Sequence, residues 1–215
     1  MFKVKDFQNK FLELALDADV LAFGDFTLKS GRQSPYFFNA AKMLNGGYLY
    51  KLAECYYEAI KDSDISFDCI YGPAYKGIFL GSIVSMILNE HGENYPLAFN
   101  RKEVKDHGEG GTIIGKDPQG DVLIIDDVIS AGTAAKESIE MIASLNANPK
   151  IMLVGLDRQE KGNGDMSAKQ ELESKYDMQV ISIIDLDTLI SYSESNSNYE
   201  KYVEKLHAYR NQWGA

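Results

Sequence analysis

Apolar residues along this chain alternate between helical spacing and short unbroken runs. Phe7, Phe11, Leu14, Ala15 and Ala18 fall on one helical face, which predicts an amphipathic helix over 6–18. The stretch 20–45 is aromatic and β-branched but broken by Gly24, Gly31 and Pro35, so it reads as short strands and turns. Helical spacing returns from Tyr48 to Lys61. Phe67-Asp68-Cys69-Ile70-Tyr71 is an apolar run closed by Gly72-Pro73, a buried strand, and a helix rich in Ile, Leu, Val and Met follows at 77–90. Tyr95 to Asn100 is a strand candidate, succeeded by a glycine-punctuated polar stretch to residue 120. Val122-Leu123-Ile124-Ile125 is the strongest strand signal and ends in Asp126-Asp127. A helix over 132–146 follows, then strands at 151–154 and 180–184 with a helix near 167–177 between them. Residues 193–215 read as a polar loop and an exposed helix.

Near-continuous apolar strands separated by helices define an α/β protein with a parallel sheet covered on both faces. In such sheets ligands bind at the carboxyl ends of the strands. That rule directs attention to Gly72–Lys76, Asn100 onward, Asp126 onward and Leu156–Arg158, and each of these places is polar or glycine-rich. The 215 residues suit a single domain. No run approaches the roughly 18 apolar residues needed to span a bilayer. The first residues, Met1 to Asp6, lack an apolar signal core, so the expected location is the cytoplasm with no membrane partner. Cys55 and Cys69, in a predicted helix and a buried strand, read as reduced core thiols.

Charge sharpens the picture. Lys and Arg number 22 against 32 Asp and Glu, a net charge of −10. Such a surface repels nucleic acid. A small anion could still be held wherever cations concentrate.

The most informative segment runs from Val122 through Asp126-Asp127-Val128-Ile129-Ser130-Ala131-Gly132-Thr133-Ala134. A buried strand delivers two carboxylates to the sheet edge, and a loop of small residues then opens a helix. Free N–H groups and the helix dipole suit a phosphate there, with Ser130 and Thr133 adding hydroxyl donors. The carboxylates suit sugar hydroxyls. Helix capping and strand termination alone would explain isolated pieces of this pattern but not its whole length. A Walker phosphate loop is excluded, because no GxxxxGK[ST] occurs.

Four further segments gain weight from that one. Gly72-Pro73-Ala74-Tyr75-Lys76-Gly77 is a glycine-bracketed turn whose Lys could hold a second phosphate, so the two turns match a ligand phosphorylated at both ends. Asn100-Arg101-Lys102-Glu103-Val104-Lys105-Asp106-His107 leads into glycines 108, 110 and 111, a basic loop expected to move and close over an anionic substrate. Lys29 and the aromatic run Tyr36-Phe37-Phe38 could cover a planar anionic heterocycle. Arg158 leaves the strand at 151–155 and could pair with a carboxylate. Taken singly, each also has a structural explanation: a solvated turn, a surface loop, core aromatics or a structural salt bridge.

Together these segments resemble the type I phosphoribosyltransferases, and specifically the bacterial homodimeric orotate phosphoribosyltransferases. The family-specific pieces are Phe26-Thr27-Leu28-Lys29-Ser30-Gly31, Gly72 to Gly77, Phe99-Asn100-Arg101-Lys102 through Gly111, and Leu156-Asp157-Arg158-Gln159-Glu160. The resemblance covers essentially the whole chain. It implies a central sheet over about 65–190 with a small N-terminal hood subdomain, about 1–45, over the base site. It implies that Lys29, Tyr75, Lys76, Arg101, Lys102, Lys105 and His107 contact phosphoribosyl pyrophosphate (PRPP). Asp126, Asp127, Val128, Ile129, Ser130, Ala131, Gly132, Thr133 and Ala134 would hold the ribose hydroxyls and 5′-phosphate. Phe37, Phe38, Ser130 and Arg158 would contact orotate, with Arg158 on its carboxylate. Arg101, Lys102, Lys105, His107, Asp126 and Asp127 are the catalytic candidates. The resemblance further implies Mg2+ bound mainly through PRPP oxygens, with no dedicated protein metal site. It also implies a homodimer whose basic loop reaches the partner's site. Ser130 departs from the usual Thr but keeps the hydroxyl.

The expected reaction is displacement of pyrophosphate from the anomeric carbon of PRPP by the orotate ring nitrogen, without a covalent protein nucleophile. A purine or uracil phosphoribosyltransferase would not need a cation for a base carboxylate, and Arg158 favours orotate. A non-catalytic nucleotide-sensing regulator of the same fold is expected to show an added nucleic-acid-binding domain, for which 215 residues leave no obvious room, or a basic face, for which the charge is wrong. It is also expected to have lost the loop cations, yet Arg101, Lys102 and Lys105 are present.

Overall fold

The computed structural model describes residues 4–28, 30–105, 111–130, 132–162 and 164–215, with 103–105 and 111 given by backbone alone. Helix α1 (Asp6–Asp17) leads into the antiparallel pair β1 (Leu21–Thr27) and β2 (Gln33–Phe38), which form a separate two-stranded sheet. Helix α2 (Leu49–Asp62) follows. The main sheet then begins with β3 (Cys69–Gly72), α3 (Lys76–Glu90), β4 (Leu97–Lys105) and β5 (Gly111–Gly115). It continues with β6 (Asp121–Ile129), α4 (Thr133–Ser144), β7 (Asn148–Asp157), α5 (Ala168–Tyr176) and β8 (Gln179–Asp185). Helices α6 (Leu186–Glu194) and α7 (Val203–Trp213) close the chain.

The six strands lie in the order β5-β4-β3-β6-β7-β8. All neighbouring pairs are parallel except β4 with β5. The sheet is therefore mixed rather than wholly parallel as expected. From β3 the chain steps outward to β4 and later resumes on the other side with β6. The switch point of the topology thus falls between β3 and β6, where open α/β sheets bind their ligands.

The unbroken apolar runs make sense once both faces are covered. Side chains alternate along a strand, so Val122 and Ile124 enter one core while Leu123 and Ile125 enter the other. All four are inaccessible to solvent. Helices α1, α2 and α3 pack over Leu123 and Ile125, together with Ile87, Leu156 and Ile183. On the opposite face α4 and α5 cover Val122 and Ile124 through Ile139, Ile142 and Leu172. Burying a side chain of this size stabilises the fold by roughly 1.5–3 kcal/mol.

Several elements differ from the sequence expectation. Strand β6 runs past Ile125 through both aspartates to Ile129, because β7 stays paired alongside it to Ile129↔Asp157. The basic segment 101–105 is an arm of a hairpin rather than a loop, pairing Asn100↔Ile113 and Lys105↔Gly111 with β5. The β-branched run Thr112-Ile113-Ile114 supplies the partner strand. Helix α6 was not expected, and α7 is amphipathic rather than simply exposed: Leu206 and Tyr209 are buried against the core.

Among the described residues no helix is long and apolar enough to cross a membrane. Cys55 and Cys69 are buried free thiols.

Candidate active site

The carboxyl ends of β4, β3, β6 and β7 stand side by side along one edge of the sheet, and each carries part of the chemistry. After β3 the chain turns sharply into α3. This turn is possible because two glycines let backbone touch backbone: a Cβ on Gly72 would collide with the Gly77 carbonyl. One on Gly77 would lie 2.8 Å from both the Gly72 carbonyl carbon and the Ile125 oxygen. The Ala74–Tyr75 peptide within the turn is cis, and the Ala74 N–H donates to the Asn100 side chain of β4 at 2.8 Å. Tyr75 projects into solvent, 71% exposed. The Lys102 ammonium sits 4.8 Å above its ring centroid.

Lys76, the first residue of α3, reaches across the β3–β6 switch point to Asp127, Nζ to Oδ2 2.5 Å. Asp127 is buried, and its backbone N–H donates to the Asp126 side chain at 2.9 Å. Burial, with the neighbouring Asp127 charge adding to it, pushes the Asp126 carboxyl up to about 7. The buried Tyr56 hydroxyl donates to the Asp126 carbonyl at 2.8 Å, tying α2 to this part of the strand.

Past Ile129, Ser130 leads to Gly132, which caps α4 in the left-handed region at φ 73°. Among the described residues no side chain caps this end, and the first-turn N–H groups of α4, which have no intrahelical partner, suit an anion. Ser130 and Thr133 are exposed and line a cleft of about 850 Å³. Its walls bring together Phe37 and Phe38 of β2, Val128, Ser130 and Thr133, and Arg158 at the end of β7. Thus six residues expected from the sequence to contact substrate share one cleft, although they come from three separate segments. The rest of its lining includes Arg32, Lys136, Lys161, Glu160 and Glu171, which gives the cleft a surplus of two positive charges in a chain of net charge −10.

Arg158 is buried, and its surroundings are the part of the site that the sequence did not reveal. Its Nε donates to Glu160 Oε1 at 2.5 Å, and its Nη2 donates to Ser34 Oγ and the Tyr209 hydroxyl, each at 3.0 Å. The guanidinium carbon lies 4.3 Å from the Tyr36 ring centroid. Glu160 also accepts from Arg32 Nη1 at 2.8 Å. The alternation Arg158-Gln159-Glu160 just beyond a strand was a signal for this pair. Tyr209, 49 residues from Glu160, carried none. Lys136, which pairs with Glu171 at 3.0 Å, follows from its place on the first turn of α4, three residues after Thr133.

Arg101 and Lys102 lie on β4 beside the turn that carries Tyr75 and Lys76. Ile129 is buried, and Ala134 lies in the first turn of α4. Lys29, His107 and Ala131, and the side chain of Lys105, lie outside the described residues.

A mixed, mostly parallel sheet whose switch point joins a lysine-bearing turn to a carboxylate pair and a helix-opening anion loop defines a type I phosphoribosyltransferase. No family model matches the chain. It is 51% identical over 209 residues to the orotate phosphoribosyltransferase of Marinobacter nauticus, covering 97% of this chain and 99% of the relative. It is 49% identical over 212 residues to that of Haemophilus influenzae, covering 98% and 100%. The crystal structure of the Francisella tularensis orotate phosphoribosyltransferase superposes with a TM-score of 0.86 at 38% identity, over 95% of this chain and 99% of that one. The chain belongs to the orotate phosphoribosyltransferase family.

Proposed function

We propose that the chain carries out its family's reaction in pyrimidine nucleotide synthesis. It transfers the phosphoribosyl group of PRPP to orotate, giving orotidine 5′-monophosphate and pyrophosphate. The observation that carries this reading is the cleft shared by Phe37, Phe38, Ser130, Thr133 and Arg158. An aromatic wall for a flat ring, a cation for its carboxylate and an anion loop for a phosphate meet in one space.

In this reading the 5′-phosphate sits on Ser130 to Ala134 at the start of α4, and the ribose hydroxyls meet Asp126 and Asp127. The pyrophosphate lies between Tyr75 and Lys76 on one side and Arg101 and Lys102 on the other. Lys29, Lys105 and His107 complete its cationic surround. The ring nitrogen of orotate attacks the anomeric carbon as the bond to pyrophosphate breaks, and the cations stabilise the charge leaving on pyrophosphate. One well-placed donor of this kind lowers a barrier by roughly 3 kcal/mol. Phe37 and Phe38 exclude water from the cationic sugar, and the β1–β2 hairpin acts as a hood over the base. Among the described residues no group of three ligating side chains could enclose a metal. The donor set on hand is the Asp126–Asp127 pair, which fits an Mg2+ ion carried mainly on PRPP oxygens. Such an ion would supply charge neutralisation to the leaving group. We place the enzyme in the cytoplasm as a homodimer, with each basic segment near Lys105 serving the partner's site.

The direct test follows orotate's ultraviolet absorbance with purified protein, PRPP and Mg2+. The expected result is loss of the orotate band only when all three accompany it. Turnover of uracil or a purine in its place would retain the phosphate sites and overturn the base-site reading.

A further inference from the structure

The guanidinium of Arg158 has five N–H donors. The Nε proton goes to Glu160, and the two on Nη2 go to Ser34 and Tyr209. Only the pair on Nη1 remains, and among the described residues nothing accepts from it. Arg158 forms part of the cleft wall. The group is thus clamped on one edge by hydrogen bonds and on one face by the Tyr36 ring. The clamp draws on three distant parts of the chain: β2, the end of β7, and α7.

Tyr209 is the piece with no substitute. Its hydroxyl accepts from Arg158 and donates to Glu160 Oε1 at 2.5 Å, so it passes the polarity of one partner on to the other. Burial pushes this hydroxyl's pKa up, which keeps its proton available. The other Glu160 oxygen takes Arg32. Two guanidinium groups therefore share one carboxylate in a buried setting, and one positive charge is left uncompensated at the cleft. A substrate carboxylate would supply the missing charge.

We propose that Tyr209, acting with Glu160, is a positioning residue that fixes Arg158 with Nη1 turned to the cleft, making α7 part of the selection for a carboxylated pyrimidine. This rests on the reading that Arg158 meets the orotate carboxylate. A clamped donor penalises a base without a carboxylate, because its buried charge stays unpaired. A guanidinium free to swing could relax towards Glu160 and would tolerate uracil better.

The test compares Tyr209→Phe, Arg158→Ala and the double variant, each with orotate and with uracil at saturating PRPP. Phenylalanine keeps the ring packing against Tyr36 and removes only the hydroxyl. Tyr209→Phe is expected to raise the KM for orotate roughly tenfold, as for a lost hydrogen bond to a charged group. The KM for PRPP should stay within about twofold, and the preference for orotate over uracil should shrink. In the double variant the tyrosine change should add nothing to Arg158→Ala, since it acts only through the arginine. If Arg158→Ala loses orotate while Tyr209→Phe matches the parent, the positioning role falls and the base-site reading stands. If Arg158→Ala itself leaves orotate untouched, the reading beneath both falls. Equal losses for PRPP and both bases in Tyr209→Phe would mark general damage and overturn the proposal.

Discussion

Asp126 and Asp127 are adjacent in one strand, yet the alternation of β6 gives them different neighbours. Asp127 meets Lys76 across the switch point, while burial and the Asp127 charge hold Asp126 near 7. A carboxyl raised above its unfolded value of about 3.9 contributes stability below that value and loses it as pH rises through the folded value. The ligand-free protein should therefore lose melting temperature through this group between about pH 4 and pH 8. Asp126→Asn should flatten that part of the profile. At pH 8 the variant should melt several degrees above the parent, and at pH 4 the two should melt together. A scan of Tm against pH for both proteins decides it; parallel curves would mean that Asp126 is ionised without cost. The variant should at the same time lose affinity for PRPP, so stability and function would move in opposite directions. Residue chemistry of this kind was half legible in the sequence. Strand-end acids and a strand-end Arg158 announce themselves, whereas Ser34 and Tyr209 acquire their roles only when β2 and α7 close around the guanidinium, 124 and 51 residues away.

At the scale of elements, the strongest patterns were those that answer to local rules. β6, β7, β8 and the helices between them follow from unbroken apolar runs and helical spacing. Strand β5 escaped because Gly111–Gly115 has glycine at both ends and becomes a strand only by pairing with β4. Helix α7 read as exposed because its apolar face is as narrow as Leu206 and Tyr209, two residues that decide its docking. The turn between β3 and α3 was legible as glycine-bracketed, but its reason is the closeness of three backbones. A methyl group at Gly77 would press on Pro73, Gly72 and the Ile125 carbonyl of β6 at once. Gly77→Ala should accordingly cost about 3 kcal/mol, near 10 °C in Tm, by prising α3 off the sheet. Weaker PRPP binding should accompany it, since Tyr75 and Lys76 move with the turn. Calorimetry checks the first effect, and an unchanged Tm would show that the turn has room to spare.

On the whole molecule the charge is unevenly distributed: a net −10 surrounds a cleft with a positive surplus. The acidic remainder discourages large polyanions while the cleft admits a small one. If each basic segment near Lys105 serves the partner's site, as proposed, the molecule has another property open to measurement. Lys105→Ala would then damage the site across the dimer, while Asp127→Asn would damage the site of its own subunit. Each variant alone should fall at least tenfold in turnover. When the two are unfolded together and refolded as a mixture, about half the dimers should be mixed in composition. In a mixed dimer both lesions fall on one site and the other site is intact. Activity should therefore return to about a quarter of the parent's, carried by one sound site in each mixed dimer. Were Lys105 to act within its own subunit, every site in the mixture would carry one lesion or the other, and the activity would remain at the level of the separate variants. The mixture thus separates a shared site from two independent ones, whatever the strength with which the subunits associate.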